Sequence, residues 1–382
     1  MKKYLFILLS LNLSFSQSPV FELLNSNQTG VEFNNHIEDK KEHNILLYAN
    51  YYGGGGVGIA DFDNDGLQDI YFGGNLVSDV IYRNLGDFKF EDKTINSGIN
   101  DNGSWSSGVT IADVNNDGLV DIYVSKELYD DKPELRRNKL YINKGNFTFQ
   151  ESSKSWGVDV SARTRHAVFF DYNNDGHLDL YLLNQPPNPG SYSKFFGSDL
   201  TLPEYSLQLF RNTGSNSFID VTEEAGLKRT GFPNSVVASD LNNDGLVDLY
   251  VANDFDAPDF LYFNNGDGTF SYETESSLKH TSFYSMGVDS ADINNDGELD
   301  IMVVDMTAED NFRLKSNMSG MNPSAFWKVV EDGGHFQYMF NTLQINNGDK
   351  TFSDVAQYTK TSSTDWSWAN LIADFDNDGL KD

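Results

Sequence analysis

Nine residues recur six times along the chain in the pattern Asp-x-Asp/Asn-x-Asp-Gly-x-x-Asp, with the copies beginning at Asp61, Asp113, Asp171, Asp240, Asp292 and Asp374. Positions 1, 3, 5 and 9 carry a carboxylate or an amide oxygen, and glycine at position 6 permits the sharp turn that bends them inward. Calcium is a hard cation that takes roughly six to eight oxygens, some of them main-chain carbonyls. The spacing therefore predicts one Ca2+ per loop, held in the first by Asp61, Asp63, Asp65 and Asp69 with the backbone carbonyl of Leu67. The same scheme gives Asp113, Asn115, Asp117, Leu119 and Asp121 in the second loop, and Asp171, Asn173, Asp175, His177 and Asp179 in the third. It gives Asp240, Asn242, Asp244, Leu246 and Asp248, then Asp292, Asn294, Asp296, Glu298 and Asp300, then Asp374, Asp376, Asp378, Leu380 and Asp382. Asparagine at position 3 keeps a carbonyl oxygen while lowering the loop charge by one. A solitary cluster of Asp, Asn and Gly is an ordinary solvated turn, whereas six complete copies call for a common ligand. Magnesium keeps several waters and suits fewer carboxylates.

The elements around the loops fix how they are held. An EF-hand places a glutamate at position 12 between two helices. Here position 12 is Phe72, Val124, Leu182, Val251 or Val303, each inside a short β-branched and aromatic run such as Ile70-Tyr71-Phe72 or Ile122-Tyr123-Val124. Such runs, bounded by Gly, Asn and Asp, are strands. Another apolar run precedes each loop, as in Val57-Gly58-Ile59-Ala60. A second phrase trails the first five loops (Ile81-Tyr82-Arg83-Asn84-Leu85-Gly86, Leu140-Tyr141-Ile142-Asn143-Lys144-Gly145 and their counterparts), and an aromatic strand follows it. Asn and Gly between alternating apolar residues mark a hairpin. One repeat thus reads strand, acidic loop, strand, connection, strand, turn, strand. Four short antiparallel strands repeated radially make a propeller blade, so the fold class is all-β, a β-propeller with about six blades represented and the last incomplete. Successive loops are 52, 58, 69, 52 and 82 residues apart. The longest insertions, Pro186 to Tyr205 and Thr307 to Met339, are expected on one face of the disc.

Composition narrows the partners. The chain has 57 acidic and 27 basic residues, a formal net charge of −30, which excludes long-range attraction to nucleic acid or an anionic membrane. Cations are its natural partners, and six calcium ions would offset 12 of those 30 charges. Cysteine is absent, which removes disulfides, thiolate metal sites and cysteine catalysis. Met1-Lys2-Lys3 followed by the apolar stretch Tyr4 to Phe15 and small residues at Ser14 and Ser16 reads as an export signal over residues 1–16. Residues 17–52 then form a lead-in and 53–382 the propeller. No other stretch is apolar for long enough to be a membrane helix, so the mature chain is expected to be secreted or held at a cell surface by other means.

The apolar-apolar-Ala-Asp lead into Asp-Phe-Asp-Asn-Asp-Gly, the following Asp-Ile-Tyr and the Leu-Tyr-x-Asn-x-Gly hairpin resemble the FG-GAP and VCBS repeats of integrin α-chain propellers. They are still more similar to the exported cartilage-acidic-protein group (ASPIC/UnbV). The resemblance covers about residues 50 to 382. It implies a seven-bladed disc, calcium in the blade loops of one face, and a role in adhesion or extracellular recognition. The chain stops at the last ligand of the sixth loop, Asp382, where the family pattern continues into a strand, so the resemblance implies a fragment.

No nucleophile elbow, phosphate loop or zinc helix accompanies the repeats. Gly53 to Gly56 leads into a strand instead of a helix, which removes the helix N-terminus a phosphate site needs and leaves a flexible approach to the first blade. The six histidines are scattered without partners in sequence. Aromatic pairs in the insertions, Phe195 with Phe196 and Phe326 with Trp327, offer sugar-stacking or protein-binding surface, while Trp366 and Trp368 are expected in the core. The reading is a calcium-binding recognition or adhesion module, not an enzyme, for an extracellular protein or glycan. The alternative is a propeller enzyme acting on extracellular polysaccharide.

Overall fold

The computed structural model describes residues 21–101, 103–186, 205–255, 257–317 and 321–382. The export-signal reading of residues 1–16 and the pair Phe195 and Phe196 lie outside the described residues.

Each of the first five repeats forms one four-stranded antiparallel sheet whose strands pair in chain order. The first comprises Val57–Ala60, Asp69–Phe72, Val80–Asn84 and Phe90–Asp92. The second comprises Trp105–Ala112, Asp121–Glu127, Lys139–Asn143 and Phe149–Glu151. The third has Arg163–Phe170, Asp179–Gln185, Gln208–Asn212 and Phe218–Asp220, and the fourth Pro233–Ser239, Asp248–Asn253, Phe260–Asn264 and Phe270–Tyr272. The fifth has Val288–Ala291, Asp300–Val303, Thr342–Asn346 and Phe352–Asp354. The first strands of successive sheets lie against one another, which makes them the innermost of a radial array, a β-propeller of five complete blades followed by the start of a sixth.

Packing between blades is what a single repeat lacks. The second strands of the second, third and fourth blades are buried along their whole length, and Tyr71, Tyr123, Tyr181 and Tyr250 are fully buried. One apolar cluster joins Phe62, Tyr71 and Ile81 of the first repeat to Val109, Ile122, Val124 and Phe149 of the second. Equivalent clusters join the second to the third, the third to the fourth and the fourth to the fifth. Burying one such large side chain is worth ~1.5–3 kcal/mol, and most of that gain exists only once neighbours are in place.

The insertion between the second and third strands of the fifth blade carries helices Asn311–Asn317 and Pro323–Glu331. Asn322 caps the second helix, its side chain accepting from the Ser324 and Ala325 amides, and Pro323 opens it. The insertion after Gln185 leaves the third blade from the same strand end, opposite the acidic loops. Two expectations change. Within Gly53 to Gly56, Gly55 and Gly56 are closely packed: a Cβ on Gly55 would meet the Gly73 carbonyl oxygen at 2.1 Å, and one on Gly56 the Val109 nitrogen at 2.7 Å. Glycine is required because two backbones touch there. Trp366 and Trp368 are 43% and 41% exposed, and Asp365–Trp366 pairs with Met306–Thr307 of the insertion. Among the described residues, no helix is long and apolar enough to cross a membrane.

Candidate metal centre

The acidic loops join the first and second strands, and in five blades the residue before position 1 pairs directly with position 9: Ala60 with Asp69, Ala112 with Asp121, Phe170 with Asp179, Ser239 with Asp248 and Ala291 with Asp300. Within that clamp the backbone amides are collected by the carboxylates themselves. At position 1 one oxygen accepts from the amide of position 5 and the other from Gly at position 6, as in Asp113 (3.1 and 2.8 Å) and Asp292 (3.0 and 2.9 Å). Position 5 accepts from the amide of position 7, as in Asp65 from Leu67 (2.9 Å) and Asp175 from His177 (3.0 Å).

Position 4 is asparagine in all six copies, and the backbone shows why: Asn64, Asn116, Asn174, Asn243, Asn295 and Asn377 all have φ between 56° and 59°. Asparagine tolerates this left-handed conformation better than other non-glycine residues. In two of them the side chain also reaches the carbonyl of the next loop's glycine, Asn64 donating to Gly118 (3.0 Å) and Asn116 to Gly176 (3.1 Å).

Loops one and six each bring three carboxylates to within 4.8 Å of one another, Asp61, Asp63 and Asp65 in one and Asp374, Asp376 and Asp382 in the other. Asp69 is not part of the first trio. In three of the four loops with asparagine at position 3, its amide nitrogen instead donates to position 5: Asn115 to Asp117 (2.9 Å), Asn173 to Asp175 (3.0 Å) and Asn294 to Asp296 (2.8 Å). Both amide atoms of Asn242, and one carboxylate oxygen of Asp63, are buried without a hydrogen-bond partner. A buried acceptor without a donor is costly, and these oxygens face loops whose remaining donors are all oxygen. The residue set fits a hard divalent cation, and the orphaned oxygens are the atoms such an ion would satisfy.

Position 9 is the buried member. Asp69, Asp121, Asp179, Asp248 and Asp300 are at most 1% exposed. One oxygen of each accepts from the amide of position 2 and the other from the amide of the asparagine in the trailing hairpin, as in Asp121 from Val114 (3.0 Å) and Asn143 (2.8 Å). Burial pushes the Asp69 carboxyl up to about 6 and those of Asp121, Asp179 and Asp248 to about 7; the two amides pull the other way and the neighbouring loop carboxylates add to the rise. Asp300 is raised for the same reason. These residues are struts of the loop, with lone pairs left over for a ligand.

Two features escaped sequence reasoning. Arg83 lays its guanidinium on loop one, 2.8 Å from Asp63 and 2.9 Å from Asp65, a tethered cation on predicted ligands. The hairpin asparagine is a staple between blades: Asn143 donates to the carbonyls of Val120 in its own loop (3.1 Å) and Phe62 in the preceding one (2.9 Å), while its oxygen accepts from Gly145 (2.8 Å). Asn212, Asn264 and Asn346 repeat this on Val114, Tyr172 and Leu241. Its presence in five copies of the second phrase was the available signal.

The opposite face buries charges of its own. Lys126 is fully buried, 3.1 Å from Asp79 and 2.7 Å from the Ser106 hydroxyl. Glu127 accepts from the Tyr48 hydroxyl and lies 3.5 Å from Arg165. On the insertion, Trp327 is 54% exposed beside Lys328, Glu331 and Asp332.

A model of the FG-GAP-like repeat matches residues 61–124, 131–182, 200–251 and 240–303. Cartilage acidic protein 1 of Xenopus tropicalis is 25% identical over 282 residues, covering 69% of this chain and 42% of the relative. That of Mus musculus is 24% identical over 380 residues, covering 86% and 56%. The chain thus spans about half the length of these curated relatives. Among solved structures, a lectin of Agrocybe aegerita, described for recognition of non-reducing terminal N-acetylglucosamine, aligns over 78% of this chain and 64% of its own with a TM-score of 0.43 and 18% identity.

Proposed function

The chain belongs to the FG-GAP-like repeat family, and from that premise we propose that it is an exported recognition module, stiffened by calcium in its blade loops and contacting an extracellular protein or glycan through the opposite face. The observation that carries this reading is the separation of the two ends of the blades. One end holds six acidic loops with buried, unpartnered oxygens at Asp63 and Asn242. The other holds the helical insertion with Trp327 exposed. A rigid disc presenting an aromatic and charged insertion suits binding, because the recognition surface then loses little freedom on association. The relatives are named for cartilage and for acidity, and this chain shares the acidity, with its net charge of −30.

The loop carboxylates of positions 1, 3, 5 and 9 would hold the ion, and the ion would supply the positive charge that the buried position-nine groups call for. At extracellular affinities of roughly 0.1–1 mM, millimolar calcium adds about 0.4–1.4 kcal/mol per site, which summed over six loops rivals the net stability of a domain. Thermal melting in calcium and in EDTA tests the metal half, with a clear fall in midpoint expected on chelation and an unchanged midpoint counting against it. Glycan- and matrix-protein-array binding by the calcium-loaded protein tests the other half, with loss of signal in Trp327→Ala expected. Release of reducing ends from a polysaccharide would replace the binding reading with the enzymatic one.

A further inference from the structure

Two of the acidic loops carry a cation of their own, and they do so by one arrangement assembled from opposite halves. In loop one the Arg83 guanidinium lies 2.8 Å from Asp63 and 2.9 Å from Asp65, positions 3 and 5. In loop four the Lys350 ammonium lies 4.0 Å from Asp244, again position 5. The cations come from different places. Arg83 is on the third strand of blade one, immediately before the hairpin asparagine Asn84, whereas Lys350 is in the hairpin of blade five, two residues after Gly348. Each is held against an aromatic ring at the position the other does not use. The Arg83 guanidinium carbon is 6.0 Å from the ring centroid of Phe147, two residues after Gly145 in the hairpin of blade two. The Lys350 nitrogen is 5.5 Å from that of Phe263, immediately before Asn264 on the third strand of blade four. A cation over a ring face at such a distance is attracted by the ring quadrupole. Both pairs therefore straddle the boundary between the blade that owns the loop and the blade that follows it, with charge and ring exchanged.

The loop side chains differ accordingly. In loops two, three and five the position-3 asparagine donates to the position-5 aspartate. In loop four Asp244 has Lys350 beside it instead, and both amide atoms of Asn242 are buried and unpartnered. In loop one the orphaned atom is Oδ1 of Asp63, whose other oxygen faces Arg83. Among the described residues, the two loops with orphaned ligand oxygens are thus the two with a cation at position 5. Arg211 supplies the contrast. It has the strand position of Arg83, but the hairpin ahead of it carries Gly268 where Phe147 stands, so no ring holds it over loop three, and it interacts with the Tyr172 side chain.

We propose that loops one and four are guarded calcium sites, in which the tethered cation is an intramolecular competitor that must leave its carboxylates before an ion can enter, while loops two, three and five are open. The inference rests on the reading of the loops as calcium sites and adds a hierarchy to it. A charge beside the ligands repels an incoming cation and occupies the oxygens it needs. Arg83 faces two carboxylates with its side chain 35% exposed, and Lys350 faces one with its side chain 58% exposed. Open loops therefore fill first, loop four next and loop one last. The last two events each free a charge at the boundary with the following blade.

Tryptophan reporters at position 7 test this, since that position offers its main-chain carbonyl to the ion and leaves its side chain free to change. Leu246→Trp reports loop four and Leu119→Trp reports loop two, each read as the calcium-dependent change in emission relative to the protein without the reporter. Loop two should reach half-saturation at lower calcium than loop four. Lys350→Gln should lower the loop-four midpoint roughly 2- to 5-fold, the range of an exposed ion pair, and leave loop two unmoved. Lys350→Arg keeps the charge and should leave loop four where it was. A loop-four midpoint unmoved by Lys350→Gln, or an equal shift at loop two, would overturn the guard while leaving the metal reading intact. Emission that responds to calcium at neither loop would remove the metal reading itself, and the hierarchy with it.

Discussion

Replacing Asn143 by alanine tests the blade-to-blade staple directly. Asn143 is fully buried and its side chain makes three hydrogen bonds, two to carbonyls and one from an amide. At ~1 kcal/mol net each, the loss is ~3 kcal/mol, and more if the Phe62 and Val120 carbonyls stay dry. Asn84→Ala is the internal comparison. It removes the bonds to Gln68 and from Gly86 (2.8 and 2.9 Å) at a less buried site and breaks no link to another loop, so its cost should be ~1–2 kcal/mol. Guanidinium unfolding at fixed, saturating calcium reads both, the ion being held constant because it would otherwise shift the midpoint by mass action. The backbone bond to the position-nine aspartate survives in both variants, so the difference isolates the inter-blade contact. Equal costs for the two substitutions, with unchanged m-values, would refute the staple.

In chelator, stability should fall as pH rises from about 4 to 7. The position-nine carboxyls have folded values raised to about 6 or 7, so the stability they confer is complete below the ordinary carboxylate value and is lost as pH rises through the folded one; urea midpoints at pH 5 and 7.5 check this, and calcium should flatten the dependence. Arg83→Gln should raise the calcium affinity of loop one, by freeing Asp63 and Asp65, while lowering stability in EDTA; calorimetric titration beside melting reads both, and weaker calcium binding would contradict it. Lys126→Met leaves Asp79 buried without its cation and should cost about 3–5 kcal/mol, whereas the double variant with Asp79→Asn should recover part of it; a non-additive cycle in chemical unfolding is the expected signature.

The blade was legible because it is written in local chemistry. The alternation of strand runs and the Asp, Asn and Gly positions determine the hairpin clamp that sets Ala112 against Asp121, and six copies made the pattern unmistakable. What stayed hidden was everything that runs between repeats. The staple from Asn143 to Phe62 joins residues 81 apart, and nothing in the spacing of one hairpin announces a partner in the previous one. Asn64, Asn116 and Asn243 each bridge to the neighbouring loop, again without any mark in their own nine residues. The position-nine aspartates read as plain ligands, but burial turned them into struts whose charge state depends on what the loop holds. Gly55 and Gly56 look loose in isolation, yet the backbone beside them leaves no room for a side chain.

The staples all point one way around the disc, each blade holding the loop behind it. Peeling a blade from the C-terminal side strips the preceding loop of its clasp, whereas peeling from the N-terminal side frees the stapling amide and, at Asn64 and Asn116, the glycine carbonyl of the loop ahead. The clasp on each of these loops is therefore supplied by the blade that follows it, so the shape of an acidic loop depends on sequence that comes after it in the chain.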